Sequence, residues 1–330
     1  MAKIPPKILI GPSHINSVGG KFQSILENAG YELVCQDVGR QLLEHELIKW
    51  LEGCSASLAG SEPYTKKVLE AHPSLRVIAR IGVGFDGVDV AAATKQNIAV
   101  TIAPGTNQGS VAEHAFTLML ALVKRLIPQH LGVQAGGFPR SINRPLRGQT
   151  LGIAGLGRAG KAVATRAIAF EMPVIAYDPF PDHAFAKAHN IPLVTFEELL
   201  EKSDILTLHL PATPESRHII NAKSLARMKQ TALIINTSRG WVLDEAALAD
   251  ALAKNSIGGA GIDVFEEEPP GKQAWFDLPN LVLTPHAAGV DSMSLAAMAE
   301  SAAEAAVSLY RGEWPAEKVV NPQIQAQFKF

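Results

Sequence analysis

The chain has 330 residues, of which 47% are hydrophobic and 19% are charged, so a large core is possible and global disorder is excluded. Chains longer than roughly 250–300 residues usually form more than one hydrophobic core, so this length predicts two domains. The charge sum of −2, with no block of like charge, excludes a dedicated nucleic-acid binder.

Short β-rich runs alternate with helical stretches, a pattern typical of parallel βαβ units. The first series predicts strands at 7–11, 32–35, 56–59, 76–81 and 99–102, with helices at 21–29, 41–51, 65–71 and 90–95. A long helix is predicted at 110–126. The second series predicts strands at 150–154, 174–177, 193–194, 205–208, 232–236, 259–263 and 281–284, and then a helix at 292–309. The pattern favours an α/β fold with two doubly wound parallel-sheet domains.

The cysteine content and the apolar runs suggest where the protein resides. Two cysteines, Cys35 and Cys54, are too few for a disulfide framework and suit a reducing compartment. The N-terminal residues contain no apolar core of signal-peptide length. The most apolar helical run, 115–123, meets Lys124 and Arg125 well short of the roughly 20 residues of a membrane span. We expect a cytoplasmic protein without membrane association.

A glycine pattern G-x-G-x-x-G at 155–160 follows a predicted strand and opens a helix, and the next strand ends in Asp178. The glycines permit a sharp turn and close approach of the backbone to a pyrophosphate, and Arg158 adds positive charge at the helix N-terminus. Asp178 can accept hydrogen bonds from ribose hydroxyls, and its charge repels the 2′-phosphate of NADP. The pattern therefore predicts NAD as the cofactor, with contacts from Gly155, Gly157, Arg158, Ala159, Gly160 and Asp178.

The same pattern occurs at 82–87, where Asp86 and the nearby Asp89 place two carboxylates beside the glycines. Negative charge there is unfavourable for a pyrophosphate, and no strand ending in an acid follows at the right distance. We interpret this segment as a tight turn after a strand.

Polar residues follow three strands of the second series. Arg239 comes after 232–236, the acidic run 266–268 comes after 259–263, and His286 comes after 281–284. The carboxyl ends of parallel strands form the ligand crevice of an open α/β sheet. An arginine, an acid and a histidine are therefore expected at one edge, beside the predicted cofactor.

These motifs together resemble the D-isomer-specific 2-hydroxyacid dehydrogenase family over essentially the whole chain. The resemblance is greatest to its phosphoglycerate dehydrogenase branch, in a short form without regulatory domains. The matching segments are 82–89, 104–107, 110–114, 155–160, 177–179, 209–211, 213–215, 236–240, 263–269 and 285–286.

The resemblance implies three catalytic residues. Arg239 would bind the substrate carboxylate and keto oxygen, which its planar fork suits. His286 would protonate the C2 oxygen during reduction and act as the base in the reverse direction. Glu268 would pair with His286 and keep it protonated at higher pH. Glu266 and Glu267 are interpreted as solvated surface.

The resemblance also implies further contacts and a domain assignment. A flavodoxin-like substrate domain would comprise 1–102 and 291–330, and a Rossmann NAD-binding domain would comprise 103–290, with a dimerisation arm at about 107–147 that predicts a homodimer. The further cofactor contacts would be His209, Leu210, Pro211, Thr237, Ser238 and Asp263, the last near the nicotinamide amide. The substrate contacts would be Arg80 and the backbone amides of Val83 and Gly84, together with Arg239 and His286.

The resemblance implies reversible hydride transfer between NAD(H) and a 2-oxo or 2-hydroxy acid, but leaves the acid open. Phosphohydroxypyruvate requires cations near its phosphate, and Arg80, or Arg140 or Arg144 reaching across a dimer, could supply them. Phosphoglycerate dehydrogenases often have an arginine in the loop after the third strand, but the corresponding segment here, 59–62, contains none. Glyoxylate, hydroxypyruvate or a sugar acid therefore remain alternatives. An NAD-sensing, corepressor-like binding protein is the alternative of a different class, and absence of NADH oxidation with any 2-oxo acid would favour it.

Overall fold

The computed structural model describes residues 5–13, 15, 18 and 20–330, which form two compact units. Unit 1 consists of the chain up to Asn107 together with Val290–Phe330, and unit 2 is Gln108–Gly289. Each unit contains one parallel sheet with helices between its strands, so the predicted α/β class with two parallel sheets is confirmed. In the described part of the chain, no helix has the length and apolarity needed to cross a membrane.

Unit 1 contains a five-stranded sheet in the order β2-β1-β3-β4-β5, with all neighbouring strands parallel. Strand β4 is buried at every position, as expected where helices cover both faces of a parallel sheet. The strands are β1 Lys7–Ile10, β2 Glu32–Cys35, β3 Cys54–Ala59, β4 Val77–Arg80 and β5 Ala99–Thr101. The helices are α1 Phe22–Asn28, α2 Glu44–Trp50, α3 Lys66–Glu70 and α4 Val90–Lys95.

Unit 2 contains a six-stranded parallel sheet in the order β11-β10-β9-β8-β6-β7. The strand order reverses beside β6, which creates a topological switch point at the carboxyl edge. The strands are β6 Leu151–Ala154, β7 Val174–Tyr177, β8 Ile205–Leu208, β9 Leu233–Asn236, β10 Gly259–Ile262 and β11 Leu281–Leu283. The helices are α5 Gln108–Val123, α6 Leu126–Gln134, α7 Arg158–Ala169, α8 His183–Ala188, α9 Phe196–Lys202, α10 Ala222–Leu225 and α11 Glu245–Ala253.

The last helix, α12 Ser292–Tyr310, returns the chain to unit 1 and packs against α1 and β4. Its buried face is rich in alanine, and these small side chains let the helix approach the sheet closely. Leu295 and Met298 extend that face into the same apolar cluster as Phe22 and Leu26 of α1. This buried apolar surface holds α12 in unit 1.

The predicted long helix at 110–126 is wrong at its C-terminal end. Helix α5 stops at Val123, Arg125 adopts a left-handed φ of 50°, and α6 starts at Leu126. Pro128 explains the break, because its ring would collide with the carbonyl of residue 124 in one continuous helix. After the restart, Pro128 lies in the first turn of α6, where proline is tolerated.

The predicted strand at 193–194 is also wrong, because this segment forms a single bridge between Leu193 and Ala176 of β7. The Val194 N–H donates to the Ala176 carbonyl at 2.9 Å. The next residue, Thr195, already caps α9 by accepting a hydrogen bond from the Glu198 N–H. The chain therefore enters a helix before a strand can extend.

Candidate active site

In the turn at 155–160, each of the three glycines stands where a side chain would be strained, would collide with the backbone or would fill open space. Gly155 has a φ of 97°, and a Cβ there would lie 2.6 Å from the His209 carbonyl oxygen. A Cβ at Gly160 would overlap the Gly155 carbonyl. At Gly157, by contrast, the described residues place no atom within 4 Å of a Cβ position. The first and third glycines are needed for packing, and the second keeps open space above the turn.

The open space at Gly157 fits an anionic group. Gly157 is the N-cap of α7 and provides no side-chain hydrogen bond to the first turn of that helix. The N–H groups of a helix N-terminus carry partial positive charge and attract phosphates. Arg158 is exposed at the same end, and Ala159 is half-buried. The turn therefore has the shape and the charge to hold the pyrophosphate of a dinucleotide.

Asp178 follows β7 and is linked directly to this turn. Its Oδ2 accepts a hydrogen bond from the Leu156 N–H at 2.7 Å, and its Oδ1 accepts one from the Phe180 N–H at 2.8 Å. A carboxylate has about four acceptor positions, so both oxygens can still accept ribose hydroxyls. The acidic side chain therefore lies next to the turn on which the pyrophosphate would sit.

The ends of β8 and β9 contribute further polar groups. Burial lowers the pKa of His209 to about 4, so its ring is neutral at pH 7, and its Nε2 lies 2.9 Å from Thr207 Oγ1. Ser238 donates its hydroxyl and its N–H to Asn236 Oδ1. The buried Thr237 hydroxyl has no hydrogen-bond partner among the described residues. An unsatisfied buried hydroxyl at a strand end is suited to bind a polar group of a ligand.

His286 and Glu268 form a hydrogen-bonded pair. His286 Nδ1 lies 2.7 Å from Glu268 Oε2, and Glu268 Oε1 accepts the Phe265 N–H at 3.0 Å. Burial raises the pKa of Glu268, but the hydrogen bonds from His286 and Phe265 and the charge of Arg239 outweigh it and lower the pKa below its ordinary value. Glu268 is therefore ionised at neutral pH and can accept a hydrogen bond from His286 Nδ1.

Arg239 lies at the same edge, immediately before the short 3₁₀ helix Gly240–Val242. Its Nη1 donates to the Ser238 carbonyl at 2.7 Å, and its own carbonyl accepts from Asn236 Nδ2 at 2.9 Å. The positive charge of Arg239 contributes to lowering the pKa of Glu268. The structure thus brings the predicted arginine, glutamate and histidine to one edge of the unit 2 sheet.

The family profile described as D-isomer specific 2-hydroxyacid dehydrogenase, NAD binding domain, matches residues 116–288. A glyoxylate reductase of Korarchaeum cryptofilum is 40% identical over 286 residues, which cover 84% of this chain and 86% of that protein. The chain belongs to the D-isomer specific 2-hydroxyacid dehydrogenase family.

Two further comparisons agree with this family assignment. A D-3-phosphoglycerate dehydrogenase of Methanocaldococcus jannaschii is 38% identical over 320 residues, which cover 96% of this chain but 59% of that protein. The structure of D-lactate dehydrogenase from Aquifex aeolicus, complexed with NAD and lactic acid, aligns with a TM-score of 0.81 and 29% identity over 96% of this chain and 99% of that one. The predicted family, fold and NAD cofactor are confirmed.

The side chain of Asp263, a predicted cofactor contact, is fully buried and bonded to the loop that carries His286. Its Oδ1 accepts from Thr284 Oγ1 at 2.6 Å and from the Ala287 N–H, and its Oδ2 accepts from the Ala288 N–H. Burial raises the pKa of Asp263, but these bonds and one from His114 outweigh it and lower the pKa to about 2. The carboxylate therefore organises the His286 loop.

Unit 1 contains the other predicted turn, at 82–87. The buried Arg80 donates from Nε to the Gly84 carbonyl at 3.0 Å and from Nη1 to the Ala59 carbonyl at 3.2 Å, so its guanidinium shapes the turn. Val83 is exposed on it. In the loop after β3, Glu62 is 1% exposed and accepts the Gly60 N–H at 2.6 Å, and burial raises the pKa of this carboxyl. The substrate contacts from Arg80, Val83 and Gly84 stay predictions.

The interpretation of one charged residue needs correction. Glu266 was expected to be solvated surface, yet its Oε1 accepts the Glu245 N–H at 3.2 Å. The role of Arg144 across a dimer stays a prediction; within unit 2, Arg144 donates to the Thr231 carbonyl and to Gln149 Oε1. Local sequence carried no signal for the Glu266 contact, because Glu245 lies 21 residues away along the chain.

The Asp263→Asn variant should be less stable at pH 7, with a free energy of unfolding reduced by about 2 kcal/mol. An amide presents an NH₂ group on one side, which cannot accept the Ala287 or Ala288 N–H. Urea unfolding followed by circular dichroism measures the difference.

Because the folded-state pKa of Asp263 is lowered, the stabilisation by its carboxylate is present above the ordinary pKa and is lost as the pH falls towards 2. The difference in free energy of unfolding between wild type and Asp263→Asn should therefore become smaller between pH 5 and pH 3. A difference that stays constant over this range would contradict the proposed role of the carboxylate.

The Asp178→Ala variant should lose about tenfold of the preference for NADH over NADPH, because it removes acceptors for ribose hydroxyls and a charge that repels the 2′-phosphate. Titration with each cofactor, followed by tryptophan fluorescence, measures both affinities. Asp178→Asn is the matched control, since it keeps an acceptor for the Leu156 N–H but removes the charge. Tighter binding of NADPH than NADH by the wild type would show that Asp178 does not select the cofactor.

Proposed function

We propose that the protein catalyses the reversible reduction of a small 2-oxo acid to the D-2-hydroxy acid with NADH. The observation that carries this proposal is the 2.7 Å pair of His286 and Glu268, which stands at the same sheet edge as Arg239 and the glycine turn at 155–160. An acid–base pair, a fixed cation and a dinucleotide turn are the components that such a reaction requires.

Each residue of the trio has a chemical role in this proposal. Arg239 holds the substrate carboxylate and polarises the keto oxygen through its planar fork. Bound NADH supplies the hydride. His286 donates its Nε2 proton to the C2 oxygen, and Glu268 on Nδ1 fixes the tautomer and stabilises the charged ring. In the oxidation direction, neutral His286 takes the proton back from the C2 hydroxyl.

The two units have separate proposed roles. Unit 2 is the NAD-binding domain of Rossmann type, with contacts from the turn at 155–160, Asp178, residues 209–211 and residues 237–238. Its topological switch point, its uncapped α7 and the unsatisfied Thr237 hydroxyl support this role. Unit 1, whose strand order is that of flavodoxin-like sheets, is the substrate domain.

For the substrate, we favour an unphosphorylated acid such as glyoxylate or hydroxypyruvate over phosphohydroxypyruvate. Support comes from the loop after β3, which holds the buried acid Glu62 where a phosphate would need a cation. Arg80 already donates from Nε to the Gly84 carbonyl and from Nη1 to the Ala59 carbonyl, so these two N–H groups are not available to a phosphate. The glyoxylate reductase of Korarchaeum cryptofilum also matches this chain over most of its own length.

NADH oxidation with glyoxylate, hydroxypyruvate and phosphohydroxypyruvate at one cofactor concentration tests the activity and the substrate together. We expect turnover with the first two acids and a lower kcat/KM for the phosphorylated one. His286→Ala should reduce kcat about 10²–10⁴-fold, while the affinity for NADH is retained. Glu267→Ala, which alters an exposed neighbour of the pair, is the control and should keep the wild-type rate.

Three results of this assay would contradict the proposal. Unchanged turnover of the His286→Ala variant would remove this residue from the mechanism. A preference for phosphohydroxypyruvate would overturn the substrate assignment alone. Tight NADH binding without turnover of any 2-oxo acid would instead favour an NAD-sensing binding protein.

We further propose a homodimer formed through the arm at about 107–147. All residues of α6 are exposed or half-buried, although the helix carries several large apolar side chains. Exposed apolar residues concentrated on one segment are typical of an interface. The exposed apolar residues of the arm are Leu126, Ile127, Leu131, Val133, Phe138 and Ile142.

The double substitution Leu131→Asp and Ile142→Asp should convert a dimer into a monomer, because it would place two carboxylates in the proposed interface. Size-exclusion chromatography with light scattering gives the mass directly. Met293→Asp, at an exposed apolar position of α12, is the control and should remain dimeric. A wild-type protein of monomer mass would refute the proposed assembly.

A cytoplasmic location is also proposed. Cys35 and Cys54 both carry free thiols, the first exposed and the second buried. Free thiols persist in a reducing compartment, which supports this location.

A further inference from the structure

Two acidic residues that are 21 positions apart are joined by reciprocal hydrogen bonds. The Glu266 N–H donates to Glu245 Oε1 at 2.7 Å, and the Glu245 N–H donates to Glu266 Oε1 at 3.2 Å. Glu245 is the first residue of α11, and Glu266 lies in the loop after β10. We call this pair of bonds the 245–266 clamp.

The clamp holds a peptide that lies between the proposed catalytic groups. On one side of it, the Phe265 N–H donates to Glu268 Oε1 at 3.0 Å. On the other side, Gly240 packs so closely that a Cβ would overlap the Phe265 carbonyl group, and Trp241 Nε1 donates to the Glu266 carbonyl at 3.0 Å. The peptide between Phe265 and Glu266 therefore connects the end of β9, which carries Arg239, with the carboxylate that binds His286.

The charges around Glu245 oppose its ionisation. Burial raises the pKa of Glu245, and the charges of Glu266 and Glu268 raise it further, while the Glu266 N–H and Gln273 lower it. Glu266 has a second neighbour, His218, whose Nε2 lies 3.2 Å from its Oε1. Carboxylates that repel one another stay together when backbone donors hold them, which is the arrangement found here.

We infer that Glu245 is a positioning residue, whose carboxylate holds the 265–268 loop so that Glu268 remains within hydrogen-bonding distance of His286. This inference rests on the proposed catalytic role of that pair. A hydrogen bond weakens steeply as it lengthens or bends, so a displacement of the loop reduces the influence of Glu268 on the imidazole. Glu245 touches neither substrate nor cofactor in this account and acts through the Glu266 peptide alone.

Glu245→Ala removes the acceptor of the clamp, whereas Glu245→Gln keeps an oxygen acceptor and removes the charge. With Glu245→Ala we expect kcat to fall about 10–100-fold, with NADH affinity unchanged. The pH at which the His286 imidazole titrates, followed by NMR, should move downward by about half a pH unit or more, since the neighbouring carboxylate is held less closely. Glu245→Gln should restore both quantities to near wild type, and Glu267→Ala should alter neither.

The NMR titration needs no substrate, so it decides the inference even if no 2-oxo acid is turned over. An unchanged imidazole titration in Glu245→Ala would overturn the inference. Equal defects in Glu245→Ala and Glu245→Gln would also overturn it, because charge and not the hydrogen bond would then be responsible. If Glu245→Ala does not fold, Glu245→Asp withdraws the acceptor from the Glu266 N–H by one methylene group instead, and the same downward shift in a folded variant is required.

Discussion

The buried carboxylate of Asp263 is the interaction on which the proposed active site depends. A fully buried charge is costly unless hydrogen bonds compensate it, and here donors from 284–288 and from His114 do so. The Asp263 carbonyl also accepts the His286 N–H at 2.7 Å. His286 is thereby held in a left-handed conformation with a φ of 53°, which non-glycine residues adopt only where the surroundings enforce it. The strand end at β10 thus sets the position of the imidazole.

The remaining groups are arranged in successive layers around that histidine. Glu268 contacts the imidazole, the Phe265 N–H holds Glu268, and the 245–266 clamp holds the adjoining peptide. Each layer supplies a fixed hydrogen-bond donor or acceptor. Charged groups that are already oriented need little reorganisation when a proton moves, which is the physical advantage of such an arrangement. Gly240 completes it, since only a residue without a side chain lets β9 approach this peptide.

Sequence patterns predicted the features that depend on local repetition, such as strands and the residues that follow them. They did not predict contacts between residues that are far apart along the chain. Strand periodicity and the residues after each strand located Arg239, the acidic run 266–268 and His286, because parallel strands deliver their carboxyl ends to one edge. Within that run, it was the resemblance to the family that singled out Glu268. Nothing local distinguished Glu266 from the exposed Glu267, since its partner Glu245 is 21 residues away. The break before α6 is a different case, because Pro128 is a local signal: its ring would collide with the carbonyl of residue 124 in a continuous helix, so the sequence itself contains the reason for this boundary.

The two G-x-G-x-x-G segments show why a motif requires its structural context. After the first, Asp89 caps α4 by accepting the Ala92 N–H at 2.9 Å, and Arg80 binds the Gly84 carbonyl from within. The N-terminus of α4 therefore receives a hydrogen-bond acceptor from its own chain. After the second, Gly157 leaves α7 without a side-chain cap, and open space lies above it. A helix N-terminus without an internal acceptor favours an external anion. The Asp89 carboxylate, which is unfavourable beside a pyrophosphate, therefore serves in the first segment as the cap of the helix that follows.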